Sequence, residues 1–189
     1  MNEKEIKLFD IILYICDQLP RFENGALKIN KLIWFIESEF YRQHEKTITG
    51  VTFAAIDHGP IMNDYKVIFE KMKKNGLIDY TIHPITGRYL FTPQKKSDLD
   101  SLNPSEKLVV EKMVNGLKSL NARALEVLSH KDAYHITIDE HDGNMGAEID
   151  MELTLLENNP LDEDIDDSGE VLNTDELKEI IKKNGLNVE

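Results

Sequence analysis

Residues 26–45, ALKINKLIWFIESEFYRQHE, constrain the fold more than any other stretch of the chain. Leu32, Ile33, Ile36, Phe40 and Tyr41 form a wide apolar face, and Trp34 and Phe35 cover much of what remains. A helix apolar on so many sides has to be surrounded, which places it at the centre of a core built by other elements. Residues 3–19 supply one of them, with Leu8, Ile11, Ile12, Ile15 and Leu19 at helical spacing. Cys16 lies one turn after Ile12, where it packs as a small apolar residue with an inert thiol. Asn103-Pro104-Ser105-Glu106 has the form of a capping box and opens a helix to about Leu117. Asn121 caps another, ARALEVLSH. Residues 77–82 and 88–92 read as short strands joined by HPITG, a hairpin with Gly87 in its loop.

Between these elements the punctuation is less direct. ITGVTFAAI, 48–56, reads as a loop with extended character. In Asp57-His58-Gly59-Pro60, a residue before proline favours extended backbone, and Pro60 suits the first position of a helix that closes at Gly76. His58 then stands just ahead of a helix N-terminus, where neutral imidazole is favoured. Ser129-His130 ends the helix after Asn121, and a helix-terminal histidine commonly caps carbonyls. Residues 147–156 fit a strand by alternation and a helix by the face Ile149, Leu153, Leu156; a helix is expected. Residues 157–173 read as a linker and 174–185 as a short helix capped by Thr174. The fold class is mainly α (α+β): a compact helical domain over 1–157 with a small β-hairpin, then an acidic C-terminal extension over 158–189.

Charge is distributed unevenly. Residues 1–95 hold 13 Lys/Arg and 12 Asp/Glu, net +1; residues 96–189 hold 9 and 23, net −14, which sums to the −13 of the whole chain. No basic side chain lies between Lys131 and Lys178, while Asp132 to Glu176 supply 16 carboxylates. Such a balance argues against bulk attraction to nucleic acid or anionic lipid. It points to an interaction surface or a solvating tail. No apolar run reaches the roughly 18 residues of a membrane span. The N-terminus MNEKEIK is polar, unlike a signal peptide, and a cytoplasmic protein is expected.

No phosphate loop and no GxSxG elbow is present. His44-Glu45-Lys46-Thr47-Ile48 has isoleucine where a zinc-protease helix needs its second histidine. Around Gly143 a calcium loop would place Ile138 and Ile149 at its first and twelfth positions, and neither offers a side-chain oxygen. His130, His135, Asp139 and His141 form a loose ligand set without recognised metal spacing. No catalytic residue, metal ligand or cofactor site is assigned. Segment 61–96, a helix followed by a hairpin with 7 basic against 3 acidic residues, has the outline of a winged helix and leaves a DNA-binding regulator open.

Two separated motifs resemble one family. KINKLIWFIESEFYRQHEKTITGVTFAAIDHGPI, 28–61, is similar to the opening motif of the Panacea-domain family, the SocA-like antitoxins: a Lys/Leu-rich helix with aromatics, then Thr-Gly, then a segment ending in Gly-Pro. ALEVLSHKDAY, 124–134, resembles the family's Leu-Ser-His signature followed by a small residue and an aromatic. The resemblance runs from about residue 5 to 157. His58 replaces a commoner aromatic, and Tyr134 stands where tryptophan is frequent. The resemblance implies a mostly helical antitoxin of a toxin–antitoxin system, often carried by prophages. Such a protein neutralises a cognate toxin, encoded beside it, by direct protein–protein contact, with no cofactor and no established catalytic residue. Some members are phage-associated interaction proteins or proteolytic adaptors, which adds a protease to the possible partners. Trp34, Tyr41, Gly50, His58, Gly59, Pro60, Ser129, His130 and Tyr134 match motif positions, as structural or partner-contacting residues. The acidic second half is then expected to complement a basic toxin electrostatically.

Overall fold

The computed structural model describes residues 1–162. The terminal helix expected over 174–185, and the linker beyond Asp162, lie outside the described residues. Six α-helices and five short strands make up the described part: α1 (Glu3–Gln18), α2 (Ala26–His44), β1 (Phe53–Ile56), β2 (Gly59–Met62), α3 (Tyr65–Lys74), β3 (Ile78–Ile82), β4 (Tyr89–Pro93), α4 (Pro104–Leu117), α5 (Ala122–Ser129), α6 (Asp132–Glu140) and β5 (Glu148–Ile149). The fold is mainly helical α+β.

Helix α2 occupies the centre, as its sequence requires. Ile29, Leu32, Ile33 and Ile36 are wholly inaccessible to solvent, and α1, α4, α5, β2 and the 3-10 turn Met151–Leu156 all pack against the helix. Trp34 meets Phe53 of β1 edge to face with ring centroids 5.0 Å apart, a pairing that adds about 1 kcal/mol to the area buried. The capping box of α4 is present in full: the Asn103 side chain accepts from the Glu106 amide at 3.0 Å, and the Glu106 carboxylate accepts from the Asn103 amide at 2.9 Å. Glu106 also accepts from Lys7 Nζ at 2.9 Å, which ties α1 to α4. Cys16 is buried, and burial pushes its thiol up to about 12, as an inert core cysteine requires.

Three local expectations need correction. Residues 53–56 are a strand and not a loop, and Pro60 belongs to a strand and not to a helix start. β1 pairs antiparallel with β2, from Phe53 opposite Met62 to Ile56 opposite Gly59. Asp57 and His58 form the turn, and Gly59 closes it at φ +77° instead of the extended backbone expected before proline. β2 is an edge strand in the order β2-β1-β5, the place where proline can sit without breaking a ladder. α3 begins five residues later, at Tyr65. Within 147–156 the expected helix divides into β5, which sets Ile149 opposite Phe53, and a 3-10 turn opened by Asp150 accepting from the Glu152 amide. α6 occupies a stretch for which no element is expected from periodicity or capping.

Candidate functional site

The turn between β1 and β2 is held against α2, α5 and α6 by buried polar groups. Lys31 of α2 is wholly buried and donates from Nζ to the carbonyl of Pro60 at 2.9 Å. Ser129, at the end of α5, is buried and donates to the Glu126 carbonyl at 2.8 Å. Tyr134 of α6 donates from its hydroxyl to the carbonyl of Ile56 at 3.1 Å. Gly59 sits among them. A Cβ at this position would lie 2.7 Å from Lys31 Nζ, 2.7 Å from Ser129 Oγ and 2.8 Å from the His130 ring. With φ +77° as well, both conformation and space require glycine here.

Glu126 of α5 is almost fully buried and faces His58 Nδ1 at 3.2 Å and Arg123 Nη1 at 2.9 Å. The His58 ring itself is largely exposed, so the turn presents it outward while Glu126 holds it from beneath. His130 stacks on Tyr134 with centroids 4.4 Å apart. Its ring does not cap the helix as expected; the backbone amide of His130 closes α5 onto Val127 instead. His130 Nε2 is buried with no hydrogen-bond partner among the described residues. Burial, and then the neighbouring Lys31, lower the pKa of this imidazole.

Burial lowers the Lys31 amine to about 7, against the weaker opposing pull of Glu126. An unfolded lysine titrates near 10.5. Between these values the unfolded chain holds a proton that the folded chain lacks, so stability rises with pH, by at most about 1.4 kcal/mol per unit for this one group. Below about pH 7 both states are protonated and the penalty for the buried charge is fully present. We therefore expect urea midpoints of the native chain to rise between pH 7 and 8, below the range near 9.0 where the Cys16 thiol of the unfolded chain ionises and works in the opposite direction. Lys31→Met should flatten that rise. Equal slopes for the two proteins would show that this amine is charged in the fold.

Of the motif positions, His58, Gly59, Pro60, Ser129, His130 and Tyr134 converge in this cluster. Trp34 lies one turn along α2 from Lys31, in the core. Tyr41 is half-buried near the end of α2, and Gly50, at φ +70°, packs against Lys4 of α1. Lys31 and Glu126 were not singled out by sequence reasoning. The available signal was a charged residue set among apolar positions of two core helices.

Beside the turn a groove of about 710 Å³ runs between His58, the first turns of α2 and α5, and the β3–β4 hairpin. Ile56, Ile61, Tyr65 and Tyr89 give it apolar walls. Lys28, Lys66, Arg88 and Arg123 line it against one carboxylate, Glu23.

The loose ligand set does not assemble. His135 Nε2 faces the His130 carbonyl at 3.1 Å, and His141 Nδ1 faces the Thr137 carbonyl at 2.8 Å. Among the described residues no three His, Cys, Asp or Glu side chains are grouped to hold a metal. The basic segment 61–96 is similarly divided: Lys71 pairs with Glu5 of α1, Lys73 with Asp79 of β3, and Arg88 lines the groove. No described helix is long and apolar enough to cross a membrane.

The profile of the family described as "Antitoxin SocA-like, Panacea domain" matches residues 29–135, from α2 into α6. No curated protein and no solved structure gives a significant match. The match takes in both sequence motifs except Lys28, and both sides of the Lys31–Gly59–Ser129 contact, and it covers 107 of 189 residues (135 − 29 + 1). By that match the chain belongs to the SocA-like antitoxin, Panacea-domain family.

Proposed function

We propose that this protein is the antitoxin of a toxin–antitoxin pair. It neutralises its toxin by direct contact and performs no catalysis. The observation that carries this reading is the family match across α2 to α6. The polar cluster supports it. Lys31 and Tyr134 donate to carbonyls of the strands that flank the β1–β2 turn, and Ser129 donates within α5, so these polar groups are used in holding local structure.

The described structure also offers a surface for a basic partner. Asp132, Asp139, Glu140, Asp142, Glu148, Asp150 and Glu152 are all exposed on α6 and the segment that follows it. No lysine or arginine interrupts them. Such a face accelerates encounter with a cationic protein more than it sets final affinity. Toxins that act on nucleic acid or nucleotides have basic clefts, which is the chemistry this face fits.

Co-expression tests the reading. The product of the neighbouring gene should arrest growth alone, and this chain should restore it. Replacing Asp139, Glu140, Asp142 and Glu152 together by their amide or lysine counterparts should slow association with the purified toxin by about tenfold at low salt. An association rate indifferent to both salt and these changes would remove the electrostatic part of the proposal. Failure of rescue would remove the whole.

A further inference from the structure

The groove beside His58 is cationic in a strongly acidic protein. Two of its four basic residues are already compensated: Lys28 pairs with Glu23, and Arg123 with Glu126. Lys66 and Arg88 are exposed and have no ion pair among the described residues. Lys66, at the start of α3, and Arg88, just ahead of β4, line the groove together with the aromatic rings of Tyr65 and Tyr89. The first turns of α2 and α5 also open onto the groove, and Gly25 at the start of α2 provides no side-chain cap. The electrostatics and the apolar walls together select an occupant that is both acidic and partly apolar.

The chain itself contains one. Residues 163–176, EDIDDSGEVLNTDE, hold seven carboxylates, no basic residue, and Ile165, Val171 and Leu172. Their point of attachment favours this groove. The described chain ends in the turn Pro160–Asp162, where Leu161 lies against Gly116 of α4. Two residues further on, the Lys118 carbonyl accepts from Lys28 Nζ at 2.7 Å, and Lys28 is part of the groove wall. From Asp162, the fourteen residues of this segment span about 45 Å when extended.

We propose that the groove is the docking site of the chain's own acidic segment 163–176, seated between Lys66 and Arg88. The docking buries the segment's apolar residues against Tyr65 and Tyr89 and sets its carboxylates on the two uncompensated cations. It is independent of the toxin reading, because it requires only this chain.

Carbodiimide coupling, which joins amines to carboxylates without a spacer, tests this on the full chain alone. Lys66 should couple to carboxylates within 163–176, found by mass spectrometry in the monomer band. The yield should fall about fivefold in roughly 1 M salt, where screening reaches about 3 Å, and as much in Arg88→Glu. An unchanged circular dichroism spectrum for that variant would show that its fold is retained. Four results would overturn the proposal: no Lys66 coupling to 163–176; coupling only in a dimer band, which assigns the groove to a second copy; equal coupling of the segment to Lys95 and Lys96; or a yield indifferent to Arg88→Glu. Since no toxin is present, a failure of growth rescue leaves this result standing, and the reverse also holds.

Discussion

Gly59→Ala should lower the unfolding free energy by about 3 kcal/mol, measured from urea midpoints at pH 7. An alanine at φ +77° costs about 1–2 kcal/mol in backbone conformation alone. Its methyl group would also lie within 2.8 Å of three atoms at once, Lys31 Nζ, Ser129 Oγ and a carbon of the His130 ring. A single flexible lysine tip could retreat at little cost. This one is fixed to the Pro60 carbonyl, and the other two atoms belong to the packed end of α5. Relief therefore requires the β1–β2 turn to lift from α5, which also breaks the 3.1 Å bond from Tyr134 to Ile56. The groove wall carrying His58 would move with it. A Gly59→Ala protein within about 0.5 kcal/mol of the native chain would contradict the cradle described here.

Glu37→Ala should be costlier still, about 4 kcal/mol by the same measurement. Glu37 is wholly buried near the middle of α2. Its carboxylate accepts from the Ile48 amide at 2.7 Å, from the Thr49 amide at 3.0 Å and from the Thr49 hydroxyl. Burial pushes the pKa of this carboxyl up, while the three donors pull the other way. Truncation leaves two buried amides without acceptors and opens a cavity beside the central helix. Glu37→Gln retains the shape but turns an NH2 group toward one donor, and should lose about half as much. If both variants unfold at the native midpoint, the loop after α2 is not held by this side chain.

The parts of the fold that were legible have local causes. α1 and α2 follow from apolar periodicity, and α4 and α5 from asparagine caps whose geometry is formed as the sequence implies. The β3–β4 hairpin follows from two short β-prone runs around a turn. The β2-β1-β5 sheet was not legible because its strands have two to four residues and its register is set by neighbours far along the chain. Gly59-Pro60 carries the local signature of a helix start; a two-residue turn, Asp57-His58, reverses the chain instead, and pairing with β1 overrides the proline signal. α6 eluded sequence reading because DAYHITIDE mixes β-branched and acidic residues with a weak apolar face.

The candidate site divides in the same way. Gly59, Pro60, Ser129, His130 and Tyr134 were visible as motif positions, yet what joins them is tertiary. Lys31 and Glu126 belong to helices distant in sequence, and their burial becomes evident only when α2 and α5 pack. Most of the motif therefore shapes a turn.

The central claim is that this protein acts by binding a toxin. Calorimetric titration of the full chain with the purified product of the neighbouring gene tests it most directly. The account predicts a saturable one-to-one complex that abolishes the toxin's activity in proportion to the fraction bound. Absence of binding heat and of inhibition with a toxin shown to be active would contradict it.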